Sequence, residues 1–363
     1  MSTQKLHTEA LDLLQKLIAT PSFSKEEDKT ASILENFLIQ HLVAVERKGN
    51  NVWAKNKFFN PANPTLLLNS HHDTVRPNSG YTKDPFAPTM IDGKLYGLGS
   101  NDAGGPLVSL MAAFLHFNSQ PEPRINIVLA ATAEEEISGP NGIESIWSLL
   151  PEINLAIVGE PTLMDAAIAE KGLMVLDCIS QGKAGHAARD EGENAIYNAI
   201  KDIEWFRNFQ FPKTSLTLGH VKMTVTIIAA GQSHNQIPPE CSFTVDVRVT
   251  DAYTLEEVLN TVKENVSAIV VPRSLRLRPS GISEDHPLAL AAKKIGKKLY
   301  GSPTTSDQAL ILAPSIKMGP GDSARSHSAD EFIYVKEVQD GINGYIRLLE
   351  TIQSELKASN FQL

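Results

Sequence analysis

The segment Thr65-Leu66-Leu67-Leu68-Asn69-Ser70-His71-His72-Asp73 decides the fold. Its apolar first half predicts a short buried strand, and polar side chains follow where that strand ends. The apolar segments 125–131 and 155–158 repeat this arrangement, and they lead into Thr132-Ala133-Glu134-Glu135-Glu136 and Gly159-Glu160-Pro161. Strands that are apolar throughout, alternating with helical segments, indicate an α/β fold with a mostly parallel sheet and helices on both of its faces.

The periodicity predicts where this α/β domain is interrupted. A first helix ends near Ile18, a second begins at a cap formed by Ser24 and ends at Ile39, and a buried helix spans 104–117. From residue 172 the pattern becomes that of an α+β domain, with strands at 173–180, 216–230, 241–250 and 274–278 and helices at 193–206 and 255–266. Helical segments resume at 289–299, 309–317 and from Lys336. We therefore expect a catalytic domain of residues 1–171 and 282–363 and an inserted domain of residues 172–281.

Composition excludes several classes of protein. The 363 residues include 33 basic and 42 acidic side chains, and the resulting net charge of -9 makes nucleic acid an unfavourable partner. Two cysteines cannot form a disulfide framework. Glu9 and Asp12 do not fit a secretory signal, and the longest apolar run, 107–115, is too short to span a bilayer. These features predict a cytoplasmic protein with no membrane anchor.

Five polar clusters carry the chemistry. Besides the three strand ends, they are the glycine-rich loop around Asp102 and the segment Ser326-His327-Ser328-Ala329-Asp330-Glu331-Phe332. Each alone has an ordinary explanation as a strand cap, a helix cap or an acidic first helical turn. Together they supply two histidines, three carboxylates and a further glutamate to one domain. That set is typical of a carboxylate-bridged two-metal site with a general base.

On these motifs, taken in order, the sequence resembles the dinuclear-zinc aminoacylase and carboxypeptidase superfamily. It is most similar to the acetylornithine deacetylase and succinyl-diaminopimelate desuccinylase branch. The resemblance covers nearly the whole chain, and it implies two Zn²⁺ ions per chain, with Co²⁺ as a substitute. Ser70, Leu98 and Gly104 depart from residues that are frequent in the family, but none of them replaces a metal ligand.

The resemblance also implies a role for each cluster. It assigns the metal ligands, which are His71, Asp102, Glu136, Glu160 and His327. Asp102 would bridge the two ions, Asp73 would orient His71, and Glu135 would be the general base. A register shifted by one, with Glu134 as the base and Glu135 as the ligand, stays open. The peptide bond between Asp102 and Ala103 is expected to be cis.

The inserted domain resembles the lid and dimerisation domain of the same superfamily. By this resemblance His186 stabilises the reacting carbonyl, often across a homodimer, while Asn235 and Arg248 contact substrate. The loop Gly319-Pro320-Gly321 matches a turn that touches substrate, so Gly319 and Gly321 are expected in the substrate site. Without the resemblance, His186 and Arg248 would be read as ordinary strand residues.

We therefore expect a metal-dependent amidohydrolase that removes the N-acyl group from an N-acyl-L-amino acid. The expected substrate is N-acetylornithine or N-acylcitrulline, which would place the enzyme in arginine biosynthesis. Succinyl-diaminopimelate desuccinylase and a dipeptidase or carboxypeptidase are the alternatives within the superfamily. A metal-stabilised binding protein without turnover is the alternative from another class, although a base such as Glu135 would be superfluous there.

Overall fold

The computed structural model describes residues 2–121, 123–189 and 191–358, and it describes 356–358 by their backbone alone. Within these residues the α-helices are α1 (Thr3–Ile18), α2 (Asp28–Gln40), α3 (Gly105–Asn118), α4 (Ile143–Ile146), α5 (Ala195–Asn208), α6 (Leu255–Asn265), α7 (Pro287–Lys294) and α8 (Val335–Ala358). None of the described helices is long and apolar enough to cross a membrane.

The same described residues contain short strands throughout. They are β1 (Val45–Lys48), β2 (Asn51–Lys55), β3 (Thr65–His71), β4 (Thr89–Ile91), β5 (Lys94–Tyr96), β6 (Asn126–Thr132), β7 (Leu155–Val158), β8 (Ala166–Glu170), β9 (Gly172–Gln181), β10 (Gly185–His186), β11 (Lys222–Ala230), β12 (Gln236–Ile237), β13 (Glu240–Val249), β14 (Ile269–Pro272), β15 (Ser280–Gly281), β16 (Leu299–Ser302), β17 (Ser315–Lys317) and β18 (Phe332–Tyr334).

The chain divides into two compact units. The first comprises residues 1–168, 281–300 and 306–363, and the second comprises residues 169–280 and 301–305. The short segment 301–305 therefore belongs with the second unit, although it lies in sequence among residues of the first. The predicted roles of the two units, catalytic and lid, stay predictions.

The central sheet of the first unit confirms the predicted fold class. Strands β6, β3, β7 and β17 run parallel in that order, and antiparallel strands flank them. Every residue of β3, β6 and β7 is buried, because side chains pack on both faces. Leu66 and Leu68 join the core cluster that contains α1, α3 and α8, whereas Leu67 joins the cluster on the opposite face with α4.

The second unit is a four-stranded antiparallel sheet in the order β11-β13-β9-β14. Helices α5 and α6 contribute to one core with the alternating buried side chains of β13, among them Phe243, Val245 and Val247. Strand β11 lies at an edge of this sheet and pairs with β13 alone. This arrangement is the α+β architecture that the sequence predicts for the insertion.

Three local predictions are wrong. Helix α2 begins at Asp28, and Ser24 does not cap it, because the Ser24 hydroxyl donates to Asp73 instead. No strand forms at 274–278; the strand of this region, β14, spans Ile269–Pro272 and pairs with β9. No α-helix forms at 309–317: a 3₁₀ turn spans Asp307–Leu310, and β17 follows Pro314 and pairs with β7.

Candidate metal centre and active site

His71 ends the buried strand β3 with one ring nitrogen held and the other aimed at carboxylates. Its Nδ1–H donates to the main-chain oxygen of Asp73 at 3.0 Å. Its Nε2 is buried and has no hydrogen-bond partner among the described residues. Asp102 Oδ1 lies 3.4 Å from this Nε2 and Glu160 Oε1 lies 3.8 Å from it. The lone pair of Nε2 therefore faces acidic oxygens, which is the arrangement that a cation ligand needs.

The two oxygens of Asp102 face two different histidines. Oδ1 lies towards His71, and Oδ2 lies 3.7 Å from Nε2 of His327. Nε2 of His327 lies 2.9 Å from Oε2 of Glu136. The structure thus brings together His71 and Glu160 on one side of Asp102 and His327 and Glu136 on the other. The Asp102–Ala103 peptide bond is cis, as expected.

The three consecutive glutamates after β6 point in different directions. Oε2 of Glu135 lies 3.8 Å from Nε2 of His71, while Glu136 contacts His327. The carboxylate of Glu134 accepts instead from the main chain and the side-chain amide of Asn141, at 3.3 and 2.9 Å. These contacts hold Glu134 within its own loop, whereas Glu135 and Glu136 both belong to the polar cluster.

Asp73 does more than orient a histidine. Its Oδ1 accepts from the main-chain N–H of Glu135 at 3.0 Å, and its Oδ2 accepts from that of Glu136 at 3.2 Å. The Ser24 hydroxyl donates to the same Oδ2 at 2.6 Å. The distance from Asp73 Oδ1 to Nδ1 of His71 is 3.4 Å. This one buried carboxylate therefore fixes both the histidine and the loop that carries the two glutamates.

Burial and mutual repulsion shift the ionisation of the cluster. Burial raises the pKa of Glu135 well above its usual value, and burial together with Asp102 raises that of Glu160 to about 8. Burial alone would lower the pKa of His71, but Glu135, Asp102 and Asp73 raise it well above the usual value. The hydrogen bond to Glu136 raises the pKa of His327 to about 9. Groups with such shifts hold protons that a divalent cation would displace.

The donor set fits a pair of divalent metal ions. The ligand atoms of His71, Asp102 and Glu136 lie within 4.8 Å of one another, and so do those of His71, Glu135 and Glu160. Two imidazoles and several carboxylates suit ions such as Zn²⁺ and Co²⁺. The unpartnered nitrogen of His71 and the repelling carboxylates would both be satisfied by positive charge at this place. The structure therefore contains a candidate metal site.

The predicted glycines of the substrate loop pack behind this cluster. A Cβ on Gly319 would lie 2.5 Å from the main-chain oxygen of Glu160, so the close approach requires glycine. Gly321 has a φ of +93° and lies against the side chain of Asn101. Their predicted contact with substrate stays a prediction.

The second unit carries the other three predicted site residues. Nδ1 of His186 accepts from the main-chain N–H of Ala188, so the proton of the neutral ring is on Nε2, for which the described residues show no acceptor. The main-chain oxygen of Asn235 accepts from the N–H of Ala187, which ties Asn235 to the His186 segment. Arg248 makes two hydrogen bonds to Asp246, at 2.8 and 3.0 Å, and its third nitrogen donates to Thr305. Asp246 thus occupies one edge of the Arg248 guanidinium, and the predicted contact of Arg248 with substrate stays a prediction.

Residue patterns missed several groups that support the cluster. The sequence predicts Ser24 as a helix cap, and it predicts no role for Glu331 in the His327 segment. Asp307, which accepts from the Thr132 hydroxyl at 2.7 Å, was not singled out. Of these three residues, only Glu331 could have been found from the sequence, because it follows the predicted ligand His327 by four residues. Ser24 and Asp307 reach the site only through the tertiary fold.

Comparison with known proteins shows the family. The model of peptidase family M20/M25/M40 matches residues 67–351, so the chain belongs to this family. It is a metal-dependent amide hydrolase. The acetylornithine deacetylase of Proteus mirabilis (strain HI4320) is 27% identical over 358 residues, which are 89% of this chain and 91% of that protein. A protein of the same name from Pectobacterium carotovorum is 28% identical over 375 residues, covering 91% and 94% of the two chains.

Solved structures share the fold at lower identity. A tripeptidase of Staphylococcus aureus has a TM-score of 0.77 at 19% identity, covering 96% of this chain and 99% of that one. An M20 family metallo-carboxypeptidase of Sulfolobus solfataricus has a TM-score of 0.75 at 18% identity, covering 95% and 99%. A dinuclear metal binding peptidase of Bacillus subtilis has a TM-score of 0.68 at 15% identity, covering 96% and 98%. These likenesses support the fold described above.

Proposed function

We propose that this chain removes the N-acyl group from an N-acyl-L-amino acid, with N-acetylornithine or N-acylcitrulline as the substrate and arginine biosynthesis as its setting. The observation that carries the proposal is the arrangement of the Asp102 oxygens, one towards His71 and the other towards His327, beside the carboxylate of Glu135. The relatives named acetylornithine deacetylase support the choice of substrate.

In this proposal two Zn²⁺ ions, or Co²⁺ ions in their place, occupy the cluster. His71, Asp102 and Glu160 hold one ion, and Asp102, Glu136 and His327 hold the other. When bound, the two ions polarise the amide carbonyl and lower the pKa of water towards neutral. The contact between Glu136 and His327 supports this division of the ligands, and the engagement of Glu134 by Asn141 supports the register in which Glu135 is the base.

Glu135 moves the protons of the reaction. Its carboxylate takes a proton from the attacking water and delivers it to the nitrogen of the leaving amine, which leaves as a neutral amino group. Asp73 holds the main chain of Glu135 and so fixes the position of the base. His186 stabilises the carbonyl oxygen of the substrate with its Nε2–H. Arg248 binds the α-carboxylate of the substrate after one or both of its hydrogen bonds to Asp246 break. Asn235, Gly319 and Gly321 complete the substrate contacts.

We further propose that the second unit is a lid through which two chains form a homodimer. Strand β11 has an unpaired edge, and two neighbouring large side chains on it, Ile227 and Ile228, are 58% and 54% exposed. An exposed apolar edge strand is unfavourable in an isolated chain, because its backbone groups and side chains invite pairing with another strand. A second copy of the same chain would cover both.

A substrate panel with defined metal content tests the proposed function. Metal-free protein is reloaded with Zn²⁺ or Co²⁺, bound metal is counted, and hydrolysis is followed for acetyl and succinyl derivatives of ornithine, citrulline, diaminopimelate and glutamate, together with a dipeptide. We expect two ions per chain, full loss of activity on chelation, and the highest kcat/KM for N-acetylornithine or an N-acylcitrulline.

Other results would assign a different function. The highest kcat/KM for succinyl-diaminopimelate or for the dipeptide would identify one of the two alternative hydrolases. Two bound ions without turnover of any compound would indicate a metal-stabilised binding protein. A fully active preparation with a single ion per chain would overturn the bridging role of Asp102.

A further inference from the structure

A second buried carboxylate, that of Glu331, lies beneath the loop that carries Asp102. Glu331 is only 2% exposed. Its Oε1 accepts from the main-chain N–H groups of Asn101 at 2.8 Å and Asp102 at 2.9 Å, and its Oε2 accepts from that of Gly99 at 3.1 Å. Both oxygens are therefore committed to the backbone of one four-residue turn, which forms a concave set of N–H donors around them.

Local strand pairing brings Glu331 to this turn. Phe332 pairs with Tyr96 in the β18–β5 ladder, and the main-chain N–H of Gly97 donates to the main-chain oxygen of Glu331 at 3.0 Å. The backbone of Glu331 is thus held in place independently of the contacts that its side chain makes with Gly99 and Asp102. Such double attachment makes the carboxylate a rigid support.

The same segment also carries His327, four residues before Glu331. The main-chain oxygen of Phe332 accepts from the Arg325 side chain at 3.3 Å, which closes the segment on itself. Glu331 therefore joins the segment that presents His327 to the turn that presents Asp102. Oδ2 of Asp102 lies 3.7 Å from Nε2 of His327, so a small shift of either segment would separate these two side chains.

We propose that Glu331 is a positioning residue of the metal centre, whose carboxylate fixes the main chain of Asp102 so that one carboxylate oxygen faces His71 and the other faces His327. This inference rests on the two-metal centre of the proposed function. Asp73 accepts in the same way from the main chain of Glu135 and Glu136, so the Asp102 turn and the loop with these two glutamates each have a buried carboxylate holding the backbone.

The substitution Glu331→Gln tests this role with little change of shape. The amide NH₂ of glutamine cannot accept, so at least one of the three buried N–H groups is left facing another donor. Loss of a group that orients metal ligands typically weakens metal binding by about 10- to 100-fold. We expect a rise of this size in the dissociation constant of at least one ion, and a changed visible absorption spectrum of the Co²⁺-loaded protein.

Asp202→Asn is the matched control. Asp202 is also a buried carboxylate, 5% exposed, and it accepts from the main-chain N–H groups of Ser267 at 3.0 Å and Ala268 at 2.9 Å in the second unit. This variant loses the same kind of hydrogen bond away from every predicted ligand. We expect it to lower the urea midpoint of the metal-free protein about as much as Glu331→Gln does, with wild-type metal binding and an unchanged Co²⁺ spectrum.

Calorimetric titration of the metal-free proteins with Zn²⁺ and Co²⁺ decides between the outcomes. A folded Glu331→Gln protein that binds two ions with wild-type dissociation constants would overturn the inference. Should this variant not fold, Glu331→Asp, which keeps the carboxylate on a shorter side chain, is expected to show the same weakening. Failure of both to fold would also overturn it, since Glu331 would then serve the fold as a whole. A wild-type protein that binds fewer than two ions would contradict the proposed function instead.

Discussion

Buried carboxylates at this centre act on the backbone as well as on charge. Asp73 accepts from the main chain of Glu135 and Glu136, and its own main-chain oxygen accepts from His71. Burial opposes ionisation of Asp73, but His71 and the Ser24 hydroxyl lower the pKa of this carboxyl below its usual value. Asp73 therefore remains an acceptor at neutral pH and holds the main chain of Glu135, the proposed general base, in one position.

The choice between Glu134 and Glu135 as the base can be tested residue by residue. We expect Glu135→Gln to bind both ions and to lower kcat by about 100- to 10,000-fold, because proton transfer by a positioned base contributes a factor of that order. In Glu134→Gln the side chain keeps its size and one oxygen that can accept from Asn141, so this variant should lower kcat far less than Glu135→Gln does. Steady-state kinetics on metal-loaded proteins, with metal content measured for each, provide the comparison.

A reversed pattern would shift the register by one position. In that case Glu134→Gln would show the large loss of kcat with both ions retained, and Glu135→Gln would lose one ion. Since Glu135 lies 3.8 Å from His71, whereas Glu134 is engaged by Asn141, the structure supports the unshifted register.

At the scale of the element, helix α2 shows how the ends of a helix serve different purposes. The segment that leads into its N-terminus contains Ser24 and Glu27. The Ser24 hydroxyl donates to Asp73, and the Glu27 carboxylate accepts from the main-chain N–H of Glu134 at 3.2 Å. This segment therefore supports the loop that carries Glu135 and Glu136. The C-terminal end of α2 carries Leu42, with a φ of +58° and a side chain that is 92% exposed. A leucine at this position has backbone strain and gains nothing from packing.

Leu42→Gly is expected to stabilise the protein. A left-handed conformation costs an L-residue about 1–2 kcal/mol, and glycine avoids this cost but loses about 0.5–1 kcal/mol of backbone entropy on folding. The free energy of unfolding should therefore rise by about 0.5–1 kcal/mol, with kcat and KM unchanged. Urea unfolding of the metal-free protein measures the difference.

Leu42→Ala serves as the control for this prediction. Alanine keeps the Cβ and hence the strain, and the exposed leucine side chain contributes no core contact. We expect this variant to unfold with nearly the wild-type free energy. A glycine variant that is no more stable than the alanine variant would contradict the explanation by backbone strain.

At the scale of the whole molecule, the predicted functional residues divide between the two units. His71, Asp102, Glu136, Glu160 and His327 belong to the first unit, and His186 and Arg248 belong to the second. The proposed reaction therefore needs a lid that moves onto a substrate held by the metal centre. Each unit has its own hydrophobic core, which allows such movement without unfolding.

The proposed homodimer predicts that Ile228→Lys dissociates the protein into monomers. A charged side chain on the β11 edge opposes pairing with a second strand and removes exposed apolar surface. Light scattering coupled to size-exclusion chromatography should give a mass of two chains for the wild type and of one chain for the variant. A monomeric wild type would contradict the proposed dimer.

Mixed dimers extend this test to catalysis. If His186 acts across the dimer, joining a His186→Ala chain to a Glu135→Gln chain should restore activity in the heterodimer, because one of its two sites then has both groups. Each variant should have little activity as a homodimer. Loss of a single oxyanion donor typically costs about 100- to 1,000-fold in kcat, and the Glu135→Gln chain lacks the proposed base. Confirmed heterodimers without activity would show that His186 serves its own chain or has no part in the reaction.

The sequence by itself determined the order of the elements and the types of side chain at the strand ends. Apolar runs such as those of β3, β6 and β7 predict buried strands because burial on both faces is a local property of the side chains. Segments without such a run were less predictable. The predicted strand at 274–278 begins five residues after the observed start of β14 at Ile269, and the residues of β17 are predicted as helix. Both strands are short, and a short segment has too few residues for its periodicity to distinguish helix from strand.

Only the tertiary structure decided which atoms meet. Ser24 and Asp73 are separated by 49 positions and Asp102 and Glu331 by 229, so no periodicity relates them. The engagement of Arg248 by Asp246 likewise depends on side-chain rotamers within a folded strand. A residue pattern fixes which hydrogen-bonding groups are available. The partners of a buried carboxylate are set by the backbone that packs around it, because the great majority of buried donors and acceptors find a partner there.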